Sequence, residues 1–204
     1  MVKKEENRDL NVLVQRTKGP QPWRRAFHAA NGLILVSILQ WSSLDPGLVL
    51  RVLGGILGLL LLLDGVRLTL PRMNRLFFRV FSPLASPREA GGPASSTWYV
   101  LGALLTLLLF PLHLAQGGIL VLALADPAAS LLGRAFGTRP FGTGTLEGTA
   151  VFVSVAFLSL LPFAPWLPAL MAALVAAMVE VIRWPLDDNL TLPLVTAAVL
   201  SLLA

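Results

Sequence analysis

The chain has no cysteine. That absence removes thiol catalysis, disulfide bonds and every cysteine-based metal centre. Charge is also scarce: Asp, Glu, Lys and Arg make up 13% of the 204 residues, against about 25% in a typical soluble domain. No internal repeat or low-complexity tract stands out. Residues 1–25 are polar and lack the short apolar core and small-residue cleavage site of a signal peptide. What the chain has in excess is apolar surface. Hydrophobic residues form 55% of it and the mean hydropathy is +0.75, more than a water-soluble domain of this size needs.

Hydropathy divides the chain into seven candidate spans, at 27–44, 47–66, 97–114, 117–135, 148–164, 166–183 and 189–204. Each is close to the roughly 20 apolar residues that cross a bilayer as a helix. The expected fold is all-α, a polytopic membrane protein in which a polar tail, 1–25, precedes one transmembrane domain, 26–204. Short loops retain Lys and Arg on the cytoplasmic side. Of the 16 basic residues, 15 fall on one side of this arrangement, in the tail, at Arg67, Arg72, Arg75, Arg79 and Arg88, and at Arg134, Arg139 and Arg183. The turns Ser43–Gly47, Pro111–Gly117 and Pro162–Pro168 hold none, and only Arg51 lies near that side. The expected topology has its N-terminus in the cytoplasm and its C-terminus outside, in the plasma membrane if the source is prokaryotic.

The net charge of +5 and the pI near 10.7 do not require nucleic acid as a partner, because the basic residues are juxtamembrane and suit anionic lipid headgroups. The longest connection, 67–95, places Arg72, Arg75 and Arg79 at helical spacing around Leu76, Phe77, Val80 and Phe81, followed by a Pro/Ser/Gly-rich link. This is the pattern of an interfacial amphipathic helix, read here as an anchor on the membrane surface.

Ionisable residues inside spans mark functional sites. Asp126 is the foremost, near the middle of the fourth span in the segment Leu122–Arg134. Asp followed by Pro is also a helix-start signal, so a helix broken and capped at Asp126 is the alternative, and even that implies a polar pocket. Ala129 and Gly133, four residues apart on one face, permit close approach of a helix or of a ligand phosphate. The stretch Gly133–Gly148 follows, with five glycines besides Arg134, Thr138, Arg139, Thr143 and Thr145, a source of backbone N–H groups and guanidinium charge for phosphates. It is not a P-loop, since Thr143 and Gly144 stand where Lys and Ser/Thr are required.

Glu147 suits either a Mg²⁺ ligand or a favourable charge in a helix's first turn. Glu180 and Arg183 are spaced to pair. Asp187, Asp188 and Asn189 offer more oxygen than one helix cap needs. Arg25 and His28 share a helical face, placing a cation beside a titratable ring at headgroup level.

In this order the motifs resemble the dolichol kinase and phytol kinase family, membrane-embedded lipid-alcohol kinases that include the CTP-dependent diacylglycerol kinases. The resemblance runs over most of residues 23–195. It rests on Arg24-Arg25-Ala26-Phe27-His28, Arg88-Glu89 ahead of Ser96-Thr97-Trp98-Tyr99, Asp126 to Arg134, Gly137, Thr145-Leu146-Glu147-Gly148, and Asp187-Asp188-Asn189 to Leu194. One departure stands out: the family usually has a Lys where this chain has Gly144.

The resemblance implies CTP as phosphoryl donor, Mg²⁺ as cofactor, and as acceptor the hydroxyl of an isoprenoid alcohol of polyprenol, dolichol or phytol type, or of diacylglycerol. The expected catalytic residues are Asp126, Asp188 and His28. Arg25, Gly133, Arg134, Gly137, Arg139, Thr145, Glu147 and Gly148 are expected to hold the nucleotide, and Asp126, Glu147, Asp187 and Asp188 the metal. Two other classes stay open. A phosphatidate cytidylyltransferase would use the same ingredients, although its C-terminal signature is not found here. A small-solute transporter would also share broken helices, midplane carboxylates and cytoplasmic charge clusters.

Overall fold

The computed structural model describes residues 2–19, 21–41, 44–182 and 186–203, with side chains from residue 9 onward. Nine α-helices occur among them: α1 Val2–Arg16, α2 Pro22–Trp41, α3 Pro46–Thr69, α4 Pro71–Val80, α5 Ser95–Leu109, α6 Leu112–Phe136, α7 Leu146–Leu160, α8 Trp166–Val181 and α9 Asp188–Leu203. A 3₁₀ turn at Pro87–Ala90 and a small hairpin, β1 Pro140–Phe141 with β2 Gly144–Thr145, complete the set. Proline sets several starts: Pro22, Pro46 and Pro71 open α2, α3 and α4, where a missing N–H costs nothing.

Each of the seven apolar stretches is a helix, with ends displaced by a few residues; the first begins at Pro22 rather than 27. Two, α3 and α6, are long and apolar enough to cross a membrane, and α5, α7, α8 and α9 are shorter apolar helices. The polar N-terminal segment is itself helical, as α1. Ser43 and Arg183 lie outside the described residues, and with Arg183 goes the expected Glu180–Arg183 pair.

Helix α6 is the hub, in contact with α2, α5, α7 and α9. It runs unbroken through Pro127, so the helix broken and capped at Asp126 is not formed. The main core gathers Val121, Leu122, Ala125 and Ala129 of α6 with Phe152, Ala156 and Leu160 of α7 and Leu192 and Leu200 of α9. Helix α8 joins through a fully buried file of Ala169, Ala172, Ala173 and Ala176, small side chains that let backbones come close. The Ala129/Gly133 face is used in the same way. A β-carbon on Gly133 would sit 3.0 Å from the Gly148 Cα, so α6 and the first turn of α7 nearly touch.

Successive apolar helices along the chain run in opposite senses, which collects at one end the starts of α2, α5, α7 and α9 and the finishes of α3, α6 and α8. Arg24 Nη2 donates to Ser95 Oγ at 2.7 Å, joining α2 to α5. The Thr143 hydroxyl donates to the Glu180 carbonyl at 3.1 Å, joining the hairpin to α8. Arg51, ion-paired with Asp45 at 3.4 Å in the first turns of α3, marks the other end.

The connection after α3 is held from beneath. Asp64 and Arg67, three residues apart near the end of α3, are both buried, with Arg67 Nε 2.6 Å from Asp64 Oδ1. Arg67 also donates to Asn74 Oδ1 and to the carbonyls of Glu89 and Gly92 at 2.6–3.1 Å, and stacks on the Phe77 ring. Asp64 Oδ2 accepts from the Ala94 amide and the Thr97 hydroxyl. Glu89 closes a capping box with Ser86 and accepts from Ser95 Oγ at 2.7 Å; burial nevertheless pushes its carboxyl above the usual carboxylate range. Amphipathic α4 is present as its spacing predicts. In the segment after it, this network turns Ser86, Pro87 and Arg88 toward the polar end of the bundle.

Candidate functional site

A polar cavity of about 460 Å³ opens at that end, between the start of α2, the 3₁₀ turn, the second half of α6 and the start of α9. Lys18, Arg24, Arg25, Arg88 and Arg134 bring positive charge to it; Asp126, Asp187 and Asp188 bring negative. The sequence pattern singled out Asp126, Asp187, Asp188, Arg25, Arg134 and His28, and all six line this one space. Arg24, Arg88, Ser130 and Asn189 join them without having been assigned a role. No described residue forms a hydrogen bond or ion pair with the Asp126 or Asp188 carboxylate, which leaves their oxygens to whatever enters.

Asp187 is engaged differently. Its Oδ1 accepts from the Asn189 amide N–H at 3.1 Å and from Asn189 Nδ2 at 2.6 Å, an N-terminal cap for α9. Because the Asn189 NH₂ faces that carboxylate, its Oδ1 is the atom 3.1 Å from His28 Nδ1. An amide oxygen only accepts, so His28 Nδ1 must carry the proton and Nε2 is left as the acceptor of the ring. The Tyr99 ring stands edge-on to the imidazole at 5.2 Å, and its hydroxyl donates to the His28 carbonyl.

Ser130 and Arg134 also border a second cavity of about 420 Å³, formed by the glycine-rich stretch. Gly133, Gly137, Gly144, Thr145 and Gly148 line it, with Glu180 opposite. The hairpin that carries these residues turns at Gly142, where φ is +56° and a β-carbon would lie 2.2 Å from the Val181 carbonyl oxygen; only glycine fits. Thr145 caps α7, accepting from the Gly148 amide at 3.1 Å. At Gly144 a side chain would meet nothing within 4 Å.

Two expected residues stand apart. Glu147 accepts from the Thr138 hydroxyl at 2.6 Å and the Arg139 amide at 3.3 Å, binding the hairpin to α7, and neither Glu147 nor Arg139 lines either cavity. Glu147 is therefore not brought to Asp126, Asp187 and Asp188. The reason is local: the hairpin between α6 and α7 bends its carboxylate back onto its own loop.

A third cavity, about 480 Å³ and largely apolar, lies between α2, α3 and α5, and His28 lines both it and the polar cavity. Among the described residues no three carboxylates or imidazoles stand close enough to hold a metal by themselves. Mg²⁺ characteristically takes one or two protein carboxylates and completes its shell with phosphate oxygens and water. The two unpartnered carboxylates, Asp126 and Asp188, fit that demand.

Over 205 aligned residues the chain is 28% identical to a protein of Schizosaccharomyces pombe named CTP-dependent diacylglycerol kinase 1, covering 88% of this chain and 92% of that one. The chain is similar to a CTP-dependent lipid kinase over most of its length. A protein of the same name from Eremothecium gossypii is 28% identical over 114 residues, 56% of this chain and only 36% of the relative. Both likenesses are consistent with the lipid-alcohol kinase resemblance that the motifs carry. No family model matches the chain, and no solved structure does.

Proposed function

We propose that the protein is a multi-pass membrane enzyme that transfers the terminal phosphate of CTP to the hydroxyl of a lipid alcohol, with its site on the cytoplasmic side. The observation that carries this reading is the convergence of four arginines, Arg24, Arg25, Arg88 and Arg134, with the unpartnered Asp126 and Asp188 and with His28 on one cavity at the basic end of an apolar helical bundle. The exposed apolar side chains of α3, such as Val52, Leu59, Leu61 and Leu62, suit hydrocarbon rather than water. The names of the relatives favour diacylglycerol over a polyprenol, dolichol or phytol as acceptor.

Phosphoryl transfer asks for alignment and charge neutralisation far more than for covalent help. The guanidinium groups of Arg25 and Arg134 take the triphosphate, whose length reaches into the glycine-lined second cavity. Asp126 and Asp188 would hold Mg²⁺, which, when bound, offsets phosphate charge and aligns the terminal group. His28 Nε2, made the acceptor by the Asp187–Asn189 relay, receives the hydroxyl proton. The lipid oxygen bonds to the γ-phosphorus, the bond from that phosphorus to the β–γ bridging oxygen breaks, and CDP leaves.

Purified protein in lipid nanodiscs, given γ-³²P-labelled CTP and diacylglycerol, is expected to yield labelled phosphatidate, with far less from labelled ATP. Absence of label in any lipid, across diacylglycerol and polyprenol acceptors, would overturn the proposal.

A further inference from the structure

Apart from His28, none of the residues lining the apolar cavity takes part in the reaction as proposed. On α2 its lining runs from His28 and Asn31 to Ile34 and Ile38, and on α5 from Ser96 and Tyr99 to Val100 and Ala103. Both helices start at the same end, so polar groups gather at one end of the cavity and hydrocarbon lines the rest. Helix α3 supplies only apolar side chains. Protein interiors are close-packed, and an apolar space of about 480 Å³ is of the kind that suits hydrocarbon.

At the polar end Asn31 and Ser96 flank His28, and neither side chain hydrogen-bonds to a described residue. A plain isoprenoid alcohol has a single hydroxyl and no carbonyl for these donors to meet. A glycerol diester carries its free hydroxyl within a few bonds of two ester carbonyls. We infer that this cavity seats one acyl chain of a diacylglycerol, with Asn31 and Ser96 donating to its ester carbonyls and its hydroxyl delivered to His28 at the junction with the polar cavity. The assignment rests on the lipid-kinase reading for its purpose, but occupancy can be read without turnover.

The test uses the whole protein in nanodiscs and a diacylglycerol with a diazirine midway along one acyl chain. After photolysis, mass spectrometry is expected to find adducts on α2 and α5 at the depth of Ile34 and Val100. Excess unlabelled diester should suppress them at least tenfold, and the matching diether, which lacks carbonyls, should suppress them far less. Val100→Trp, or Ile34→Trp should the first variant not fold, is expected to abolish the adducts, whereas Leu108→Trp, elsewhere on α5, leaves them unchanged. In Asn31→Leu/Ser96→Ala the diester should lose its advantage over the diether. Adducts spread over the outer faces of α3 and α8 and insensitive to competitor would overturn the assignment, as would equal competition by diether and diester in the unaltered protein. Competed adducts without phosphate transfer would instead keep this site and refute the kinase reading.

Discussion

Asp126 and Asp188 face the same polar cavity from different helices with no hydrogen-bond or ion-pair partner among the described residues, an expensive arrangement for carboxylates beside low-dielectric surroundings. Asn in place of either keeps size and hydrogen bonding while removing charge. Asp126→Asn and Asp188→Asn are each expected to lower kcat at least a hundredfold while the thermal unfolding midpoint stays within a few degrees. Near-normal transfer over a range of Mg²⁺ concentrations would show that the two are not ligands. In the proposed mechanism Asn189 acts through His28, which it contacts at 3.1 Å, and is a positioning residue: Asn189→Leu should lower kcat while leaving the KM for CTP nearly unchanged. In a His28→Gln background the same change should have little further effect, the non-additivity of two groups that work as one. Gly144 invites the opposite experiment. Its surroundings are open and it lines the second cavity, so Gly144→Lys places the cation that the resembling kinases usually have. A charge-assisted hydrogen bond contributes roughly 1.5–3 kcal/mol, and the KM for CTP should fall about tenfold; an unchanged KM would take the phosphates away from this loop.

At the scale of elements, the connection between α3 and α5 depends on the buried Asp64–Arg67 pair. Removing one partner of such a pair costs roughly 3–5 kcal/mol, whereas replacing both by apolar residues is often nearly neutral. Arg67→Met should therefore lower the unfolding midpoint markedly, and Asp64→Leu/Arg67→Met should recover much of the loss. Because Arg67 also holds the Glu89 and Gly92 carbonyls, limited proteolysis should cut both variants between residues 82 and 94. This clamp was barely legible beforehand. Asp64 reads as one stray acid in an apolar run, and although Arg67 at i+3 shares its face, the other partners are the Asn74 and Thr97 side chains and backbone groups of Glu89, Gly92 and Ala94, which no short-range spacing brings to the pair. The helices themselves were legible because apolar runs of fixed length and proline starts leave few alternatives. Asp126 and the Asp187–Asp188 pair could be read from the cost of charge in an apolar setting. The diversion of Glu147 could not, since it follows from the turn at Gly142 rather than from any spacing.

For the whole molecule, the end-to-end segregation of charge is the property from which topology and reaction both follow. Lacking cysteine, the chain is suited to single-cysteine labelling without prior removal of native thiols. Thr143→Cys in the hairpin should react with an impermeant maleimide only from the cytoplasmic side, and Leu161→Cys after α7 only from the outside; the reverse pattern would invert the assigned orientation. The unbroken α6 removes one feature that had favoured a transporter, and the remaining rival among CTP enzymes differs in which phosphorus reaches the lipid. Parallel incubation of the purified protein and diacylglycerol with γ-³²P-CTP and with α-³²P-CTP separates the two. A kinase built as described should place the γ-label, and none of the α-label, in a lipid monophosphate and release CDP. Label from the α-position in the lipid, or from neither, would contradict the account.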